Sequence, residues 1–161
     1  MKKSLFALMA MVLTLCACSS IDCPVQNTVR TLYVLKKANA EPDTLKDTLY
    51  ISTARADGSD TILLNAAVML STFSLPIGYS NPEDTLVLYF CNDGYQAHDT
   101  VWLKKDNYAH FESVDCSASF FHNITAVRST HNAIDSIVIN NPSVTYDPAT
   151  EHFHLYIKSH D

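Results

Sequence analysis

The sequence predicts an all-β domain, an immunoglobulin-like sandwich of about seven to nine strands. Three observations carry this prediction. Short runs rich in aliphatic, β-branched and aromatic residues fill most of the chain. Turn signals such as Asp-Gly and Asn-Pro separate these runs at intervals of roughly 8–12 residues, which is typical of sandwiches and barrels. No stretch shows a convincing helical period with capping residues.

The first predicted strand is an aliphatic segment, and in the last predicted strand apolar and polar residues alternate. In chain order they cover residues 29–35, 48–53, 61–64, 71–75, 85–91, 100–103, 108–114, 119–128, 134–139 and 152–157. The run 85–91 is apolar throughout, which predicts a strand buried on both faces. The polar residues 104–107 predict a turn between two strands. In the last strand, Phe153 and Leu155 would face the core, and His152 and His154 the solvent.

The first residues have the pattern of a targeting segment. Lys2 and Lys3 precede an uncharged apolar run at residues 5–15. That run is too short to span a bilayer, which takes about 20 residues, and has the length of a signal-peptide core. Leu15 and Ala17 stand three residues and one residue before Cys18, which resembles the lipobox of bacterial lipoproteins. We therefore expect a lipoprotein signal peptide at residues 1–17; an ordinary cleaved signal peptide is the alternative.

A lipid on Cys18 would hold the chain to a membrane without any further membrane-binding surface. Residues 18–26 then form the anchor and a short linker, and residues 27–161 a single β-sandwich domain. Ser19 follows the cysteine instead of Asp, and no acidic run comes next. These features indicate the outer membrane, with the domain facing the periplasm. The net charge of −6 argues against nucleic acid and anionic lipid headgroups as partners.

Three further cysteines follow the anchor, namely Cys23, Cys91 and Cys116. An oxidising compartment favours a disulfide. We expect Cys23–Cys116, because both lie at the edges of predicted elements, with Cys91 free and buried as a small hydrophobe. Cys91–Cys116 is the alternative pairing.

The sequence contains no recognisable catalytic signature. Three glycines are too few for a Gly-rich phosphate loop, and we expect no enzymatic activity, no cofactor and no metal site. His152 with His154, and His110 with Glu112, have the spacing of a metal-binding pair on one strand face, but exposed polar positions explain them more simply. Aromatic residues could form a sugar-stacking platform, although packing explains them more simply; they are Tyr95, Trp102 and Tyr108.

One tripeptide recurs, with Asp followed by Ser or Thr and then an aliphatic residue. It occurs six times, whereas composition predicts about one occurrence. It resembles the O-glycosylation acceptor of exported Bacteroidota proteins. The same order also suits the start of a strand, because Asp favours turns and Thr favours strands, so both interpretations stay open. The hydroxyl residues are Thr44, Thr48, Thr61, Thr85, Thr100 and Ser136.

The chain as a whole resembles an uncharacterised family of small Bacteroidota lipoproteins. The segments that carry the resemblance are the lipobox at Cys18, Cys23-Pro24, residues 73–76, residues 108–120 around Cys116, residues 134–137 and residues 152–157. Relatives tend to have Gly after the second cysteine, where this chain has Ser117. The resemblance implies no known activity, but it suggests an outer-membrane protein as partner. An accessory or structural binding role is thus the first expectation and glycan binding the second.

Overall fold

The computed structural model describes residues 29–54 and 59–159. In this part of the chain the predicted all-β sandwich is confirmed, with ten strands rather than seven to nine. The strands are β1 (Arg30–Leu35), β2 (Thr48–Ala54), β3 (Asp60–Ala67), β4 (Thr72–Pro76), β5 (Glu83–Asn92), β6 (Tyr95–His110), β7 (Ser119–Ser129), β8 (Ile134–Ile139), β9 (Ser143–Val144) and β10 (Phe153–Ile157).

The strands form two sheets. The smaller sheet has the order β4-β1-β10-β8, and the larger has the order β3-β2-β5-β6-β7-β9. Neighbouring strands are antiparallel except β1 and β10, the first and last strands, which pair in parallel with Tyr33 opposite Phe153. No helix in the described ranges has the length and apolar character needed to cross a membrane.

Alternation along each strand places the core between the sheets. On β5, Leu86, Leu88 and Phe90 are buried, whereas Val87 is exposed and Tyr89 is half-buried. The prediction that this strand is buried on both faces was therefore wrong: its apolar run supplies one core face and one outer face. In the smaller sheet Tyr33 stacks between Phe73 and Phe153, with ring centroids 4.8 and 4.9 Å away.

Strand β6 continues through the predicted turn at residues 104–107. The β6–β7 register shifts between Lys104 and Lys105. Lys104 is exposed, but Lys105 points inward and is buried. A partner on β5 makes this burial tolerable, since Lys105 Nζ lies 2.7 Å from Asp84 Oδ1.

The sandwich has two ends that matter below. The first, here called the hairpin pole, carries the β6–β7 connection at residues 111–118, which includes Cys116. Strand β1 begins at this pole: Arg30 pairs with Pro76, and Tyr79, three residues later, stacks on Phe120 with ring centroids 4.4 Å apart. The opposite pole carries the β5–β6 turn, where Gly94 has a φ of 91°. Such a left-handed conformation favours glycine, and it confirms the turn predicted at Asp93-Gly94.

Candidate functional site: the outer face of the six-stranded sheet

The outer face of the larger sheet carries an ordered row of rings. Tyr50 on β2, Tyr89 on β5 and His98 on β6 are direct cross-strand partners. The ring of Tyr89 lies 4.3 Å from that of His98 and 5.8 Å from that of Tyr50. Cross-strand aromatic pairs of this kind stabilise a sheet. Burial raises the pKa of the Tyr89 hydroxyl, so this ring remains uncharged well above neutral pH.

A second row crosses the same face. Trp102 on β6 pairs with Thr85 on β5 and with Arg128 on β7. The guanidinium carbon of Arg128 lies 4.1 Å from the indole centroid, and its Nη2 lies 2.9 Å from Glu83 Oε1. The indole and the carboxylate together hold the Arg128 side chain flat against the sheet.

Between these two rows lies an apolar strip. Ser52 pairs with Val87 and also with Ile62 of the edge strand β3, and both aliphatic side chains are exposed. The face thus combines aromatic, aliphatic and arginine side chains. Trp, Tyr and Arg are the residue types most often found at the energetic centres of protein–protein interfaces.

The predicted platform of Tyr95, Trp102 and Tyr108 does not form. All three residues lie on β6, but Tyr95 packs against the core from one end of the strand. Trp102 and Tyr108 are six residues apart, which separates them by about 20 Å along a strand. The ring row of Tyr50, Tyr89 and His98 was missed. The turn at Asp93-Gly94 indicates that β5 and β6 are neighbours, but no local signal places Tyr50 of β2 on the other side of Tyr89.

The histidine pairs also differ from expectation. His152 precedes β10 and is buried; its Nδ1 accepts the backbone N–H of Leu32 at 3.0 Å. The prediction that it shares an exposed face with His154 was wrong. His154 instead contacts Glu151, with 2.9 Å between Nε2 and Oε2. His110 and Glu112 do meet, at 3.1 Å. The described residues contain no group of three His, Cys, Asp or Glu side chains that could hold a metal ion.

The cysteines fall partly outside the described residues. Cys91 is a free thiol, which confirms that part of the prediction and makes the alternative pairing Cys91–Cys116 wrong. It is half-buried rather than buried, because it faces outward on β5 beside Gln96. Cys18 and Cys23 lie outside the described residues, so lipidation and the pairing Cys23–Cys116 stay predictions.

The recurring tripeptides show a common side-chain arrangement in three strands. Asp47 and Asp99 are buried, and Asp84 is held by Lys105. The hydroxyl residue after each of these aspartates is half-buried in its strand, and the aliphatic residue after it is buried in the core. Thr61 and Ser136 are likewise half-buried in strands, whereas Thr44 is exposed and lies outside any strand.

A buried polar network, missed at the sequence level, lies beneath the larger sheet near the hairpin pole. Besides Asp84, Lys105 Nζ contacts the carbonyl oxygen of Asn81 at 3.1 Å, and Asn107 Nδ2 donates to the same oxygen. The ring of His122 contacts Asn107, with 2.7 Å between Nδ1 and Oδ1. Burial, together with the positive charge of Lys105, lowers the pKa of His122 to about 4, so the ring is neutral at physiological pH.

A cavity of about 360 Å³ opens beside this network, lined by Ile77, Ser80, Asn81 and Leu86 among others. Asp84 is the titratable residue in its lining. Its two carboxylate oxygens contact Lys105 Nζ and the backbone N–H of Gly78. These contacts give Asp84 a structural role at the cavity wall.

Comparison with known families gives a match to the model of a family of unknown function (DUF6452), over residues 52–157. The matched region is more than half of the chain. The chain belongs to this family. The matched region includes every strand from β3 to β10 and the last three residues of β2. It therefore contains the row of Trp102 and Arg128, and Tyr89 and His98 of the ring row, but not Tyr50. No match was found among curated proteins or among solved structures.

Proposed function

We propose that this family member is a lipid-anchored accessory protein of an outer-membrane assembly, and that it binds a protein partner through the outer face of its larger sheet. The observation that carries the proposal is the composition of that face. Two cross-strand rows place Tyr, Trp and Arg side chains around the exposed Val87 and Ile62. Their neighbours across the sheet fix their positions, which lowers the ordering cost of binding.

The membrane part of the proposal is supported by the sequence. Leu15 and Ala17 precede Cys18 with lipobox spacing, and the residue after Cys18 is not Asp. A lipoprotein cysteine carries enough acyl chain for stable attachment. The domain then needs no catalytic site to have a role, because its anchor brings it to a membrane partner and its sheet provides the contact surface.

The same face fits a protein better than a glycan. Sugar stacking needs an open ring face, but Tyr89 lies between Tyr50 and His98, and one face of Trp102 is covered by Arg128. Rings that cover one another present edges and hydroxyl groups to a partner. A protein surface can pack against such edges and fill the apolar strip between the rows.

A crosslinking experiment in native envelopes tests the proposal. A photoreactive residue replaces Val87, and in a matched variant it replaces Val138, which is also exposed but lies on the smaller sheet. We expect one defined protein adduct from position 87 that the same chain carrying Tyr89→Ser no longer forms. Adducts that are equal at both positions, or absent from position 87, would contradict a docking role for this face.

Glycan binding is the second candidate, favoured by the half-exposed indole of Trp102 on an uncovered sheet. Trp102 is the single tryptophan of the chain, so its fluorescence reports on this face. A saturable change in emission with envelope polysaccharide, strengthened in Arg128→Ala because that variant uncovers the indole, would favour this function over protein binding.

We also propose a disulfide between Cys23 and Cys116. Cys91 is the free cysteine of the described residues, and Cys116 lies at the pole where β1 begins. The six residues from Cys23 to Val29 can span about 20 Å, so the linker can reach the β6–β7 connection. Peptide mapping without reductant should give one cross-linked peptide that joins residues 23 and 116, and a cross-linked peptide that contains Cys91 would refute the pairing.

A further inference from the structure

We infer that the hairpin pole rests on the zwitterionic surface of the membrane that holds the lipid anchor. The inference depends on the proposed lipidation of Cys18, and it adds an orientation: one end of the sandwich contacts lipid headgroups, and the outer face of the larger sheet stands upright beside them. Exposed side chains, the start of the described chain, the reach of the linker and the local charge support it.

Large apolar side chains are exposed at this pole. Val114 is 97% exposed, Phe111 62%, Tyr79 59% and Tyr108 45%. Monomeric soluble proteins rarely gather such residues at one end without a binding role. Tyrosine and phenylalanine also suit the boundary between lipid headgroups and acyl chains, where an amphipathic ring has both apolar and polar surroundings.

The rings behind these side chains form a packed base. Phe121 lies at its centre, 4.3 Å from the ring of His110, 4.7 Å from that of Tyr146 and 6.1 Å from that of Tyr108. The base connects β6, β7 and the segment after β9. It gives the connection at residues 111–118 a firm support, so that Phe111 and Val114 project from a fixed end of the sheet.

The chain enters the domain at the same pole. Arg30 pairs with Pro76, and the segment after Pro76 leads to Tyr79, which stacks on Phe120. The Nδ2 of Asn107 also donates to the carbonyl oxygen of Tyr79, at 3.1 Å. The first described strand and the β6–β7 connection are therefore neighbours at one end of the molecule.

The reach of the linker favours this orientation through the proposed disulfide, on which the orientation therefore also rests. Cys18 and Val29 are eleven residues apart, a span of at most about 40 Å. Strand β1 has only six residues, and Leu35 at its far end lines a pocket together with Asn92, next to the β5–β6 turn. The linker alone could therefore reach either pole. A disulfide between Cys23 and Cys116 would tie the linker to the hairpin pole and leave about 17 Å between Cys18 and Cys23.

The charge of the pole identifies the type of surface. Residues 106–123 contain no Lys or Arg and three acidic residues, Asp106, Glu112 and Asp115, so this segment stays net negative beside the exposed cation of Arg30. Anionic headgroups would repel this segment. A zwitterionic headgroup offers an ammonium to Glu112 and Asp115 while Phe111 and Val114 enter the interface. The partner surface is therefore a phosphatidylethanolamine-type leaflet.

Tryptophan scanning in vesicles tests the orientation. The lipidated full-length chain carries Trp102→Phe together with either Val114→Trp or Val68→Trp. It is reconstituted into vesicles with brominated acyl chains, one set made of phosphatidylethanolamine and phosphatidylcholine and a second set that contains anionic phosphatidylglycerol. Val68 is a matched control because it is an exposed valine at the opposite pole, next to the Leu45–Leu70 bridge. We expect a blue shift and bromine quenching at position 114 and neither at position 68. Phe111→Trp provides a second probe if Val114→Trp fails to fold.

The outcomes separate the two proposals. If the protein floats with the vesicles but positions 114, 111 and 68 are quenched equally, the orientation is wrong and the anchor stands. If the chain does not float at all, the anchor and the orientation both fail. Equal quenching in anionic and zwitterionic vesicles would overturn the assignment of the lipid class.

Discussion

Asp99 shows at the residue scale why the recurring tripeptide is structural in several strands. Its buried carboxylate accepts hydrogen bonds from Thr130 Oγ1 at 2.6 Å and from the backbone N–H groups of Asn132, Ala133 and Ile134 at 2.7–2.8 Å. Burial raises the pKa of Asp99, but the four hydrogen bonds outweigh burial and hold the pKa below its usual value. This one carboxylate thus organises the whole β7–β8 connection.

We predict that Asp99→Ala lowers the free energy of unfolding by about 3 kcal/mol or more, because three buried N–H groups lose a charged acceptor. Asp135→Ala is the matched control: Asp135 opens the same tripeptide but is exposed on β8, and it should change stability by no more than about 0.5 kcal/mol. Urea unfolding at pH 7 measures both variants. Similar losses in the two would show that the hydrogen bonds of Asp99 are not the cause.

A second residue-scale prediction concerns modification. Among the six hydroxyl residues, Thr44 is the exposed one outside a strand, and its backbone is held by the Asp43 Oδ1 contact to its own N–H at 2.8 Å. We predict a glycan on Thr44 of the protein purified from its native envelope. Intact-mass measurement should show an excess that Thr44→Ala removes and Thr100→Ala, within β6, leaves in place. A native mass equal to the calculated one would contradict the prediction.

Neighbouring residues of one element have opposite environments in β6. Lys104 and Lys105 are the same residue type, yet the regular alternation of β6 exposes Lys104 and buries Lys105, on the same face as Val101 and Leu103. The sequence predicted a turn here because four consecutive polar residues look solvated. The burial of Lys105 depends on Asp84, which lies twenty-one positions earlier, and no local pattern reveals such a partner.

We predict that Lys105→Ala costs about 3 kcal/mol of stability, since it leaves Asp84 without its counter-ion in a largely buried site. Lys104→Ala, one position away and exposed, should cost no more than about 0.5 kcal/mol. The double variant Lys105→Met with Asp84→Leu should recover most of the loss, because it removes both charges together. Denaturant unfolding of the three variants checks this, and an unrecovered double variant would show that packing rather than charge dominates.

Most strands and the sandwich itself could be predicted from local patterns, because alternation and turn residues act over short distances. Strand β8 has the predicted bounds, and the bounds of the other predicted strands agree with the structure within a few residues. The exception is β6, which was predicted as two strands separated by a turn. Strand order, the ring row of the outer face and the His122 network could not be predicted. Each of these requires knowledge of which distant strands meet. The short strand β9 has only two residues and gives no periodic signal.

At the scale of the whole molecule, acid should destabilise the fold in two steps. His122 has a folded-state pKa of about 4, below the value of 6.5 for an unperturbed histidine, and burial also lowers the pKa of His152. The unfolded chain therefore binds these protons more readily, and stability falls as the pH drops from about 6.5 towards 4. Below that range the stabilising charge of Asp99 is lost in turn, because its folded pKa is depressed.

We predict that His122 alone accounts for a loss of about 3 kcal/mol between pH 7 and pH 4, at 1.36 kcal/mol per pKa unit. His122→Gln should flatten the profile over this interval, whereas the exposed His131→Gln serves as a control for removing a histidine. Urea midpoints at half-unit pH steps measure the effect. A wild-type profile that does not change across this interval would show that His122 can be protonated in the folded state.

The parallel contact between β1 and β10 has a consequence for how the protein reaches its compartment. Strand β10 lies in the middle of the smaller sheet, between β1 and β8, so the first and last parts of the domain complete one another. A chain exported amino end first, as the proposed signal peptide requires, cannot close this sheet until Ile157 has left the translocation channel. Pairing across such a sequence separation is also slow. The smaller sheet would therefore stay open during the whole passage, and the domain would complete its fold only after the last strand is released.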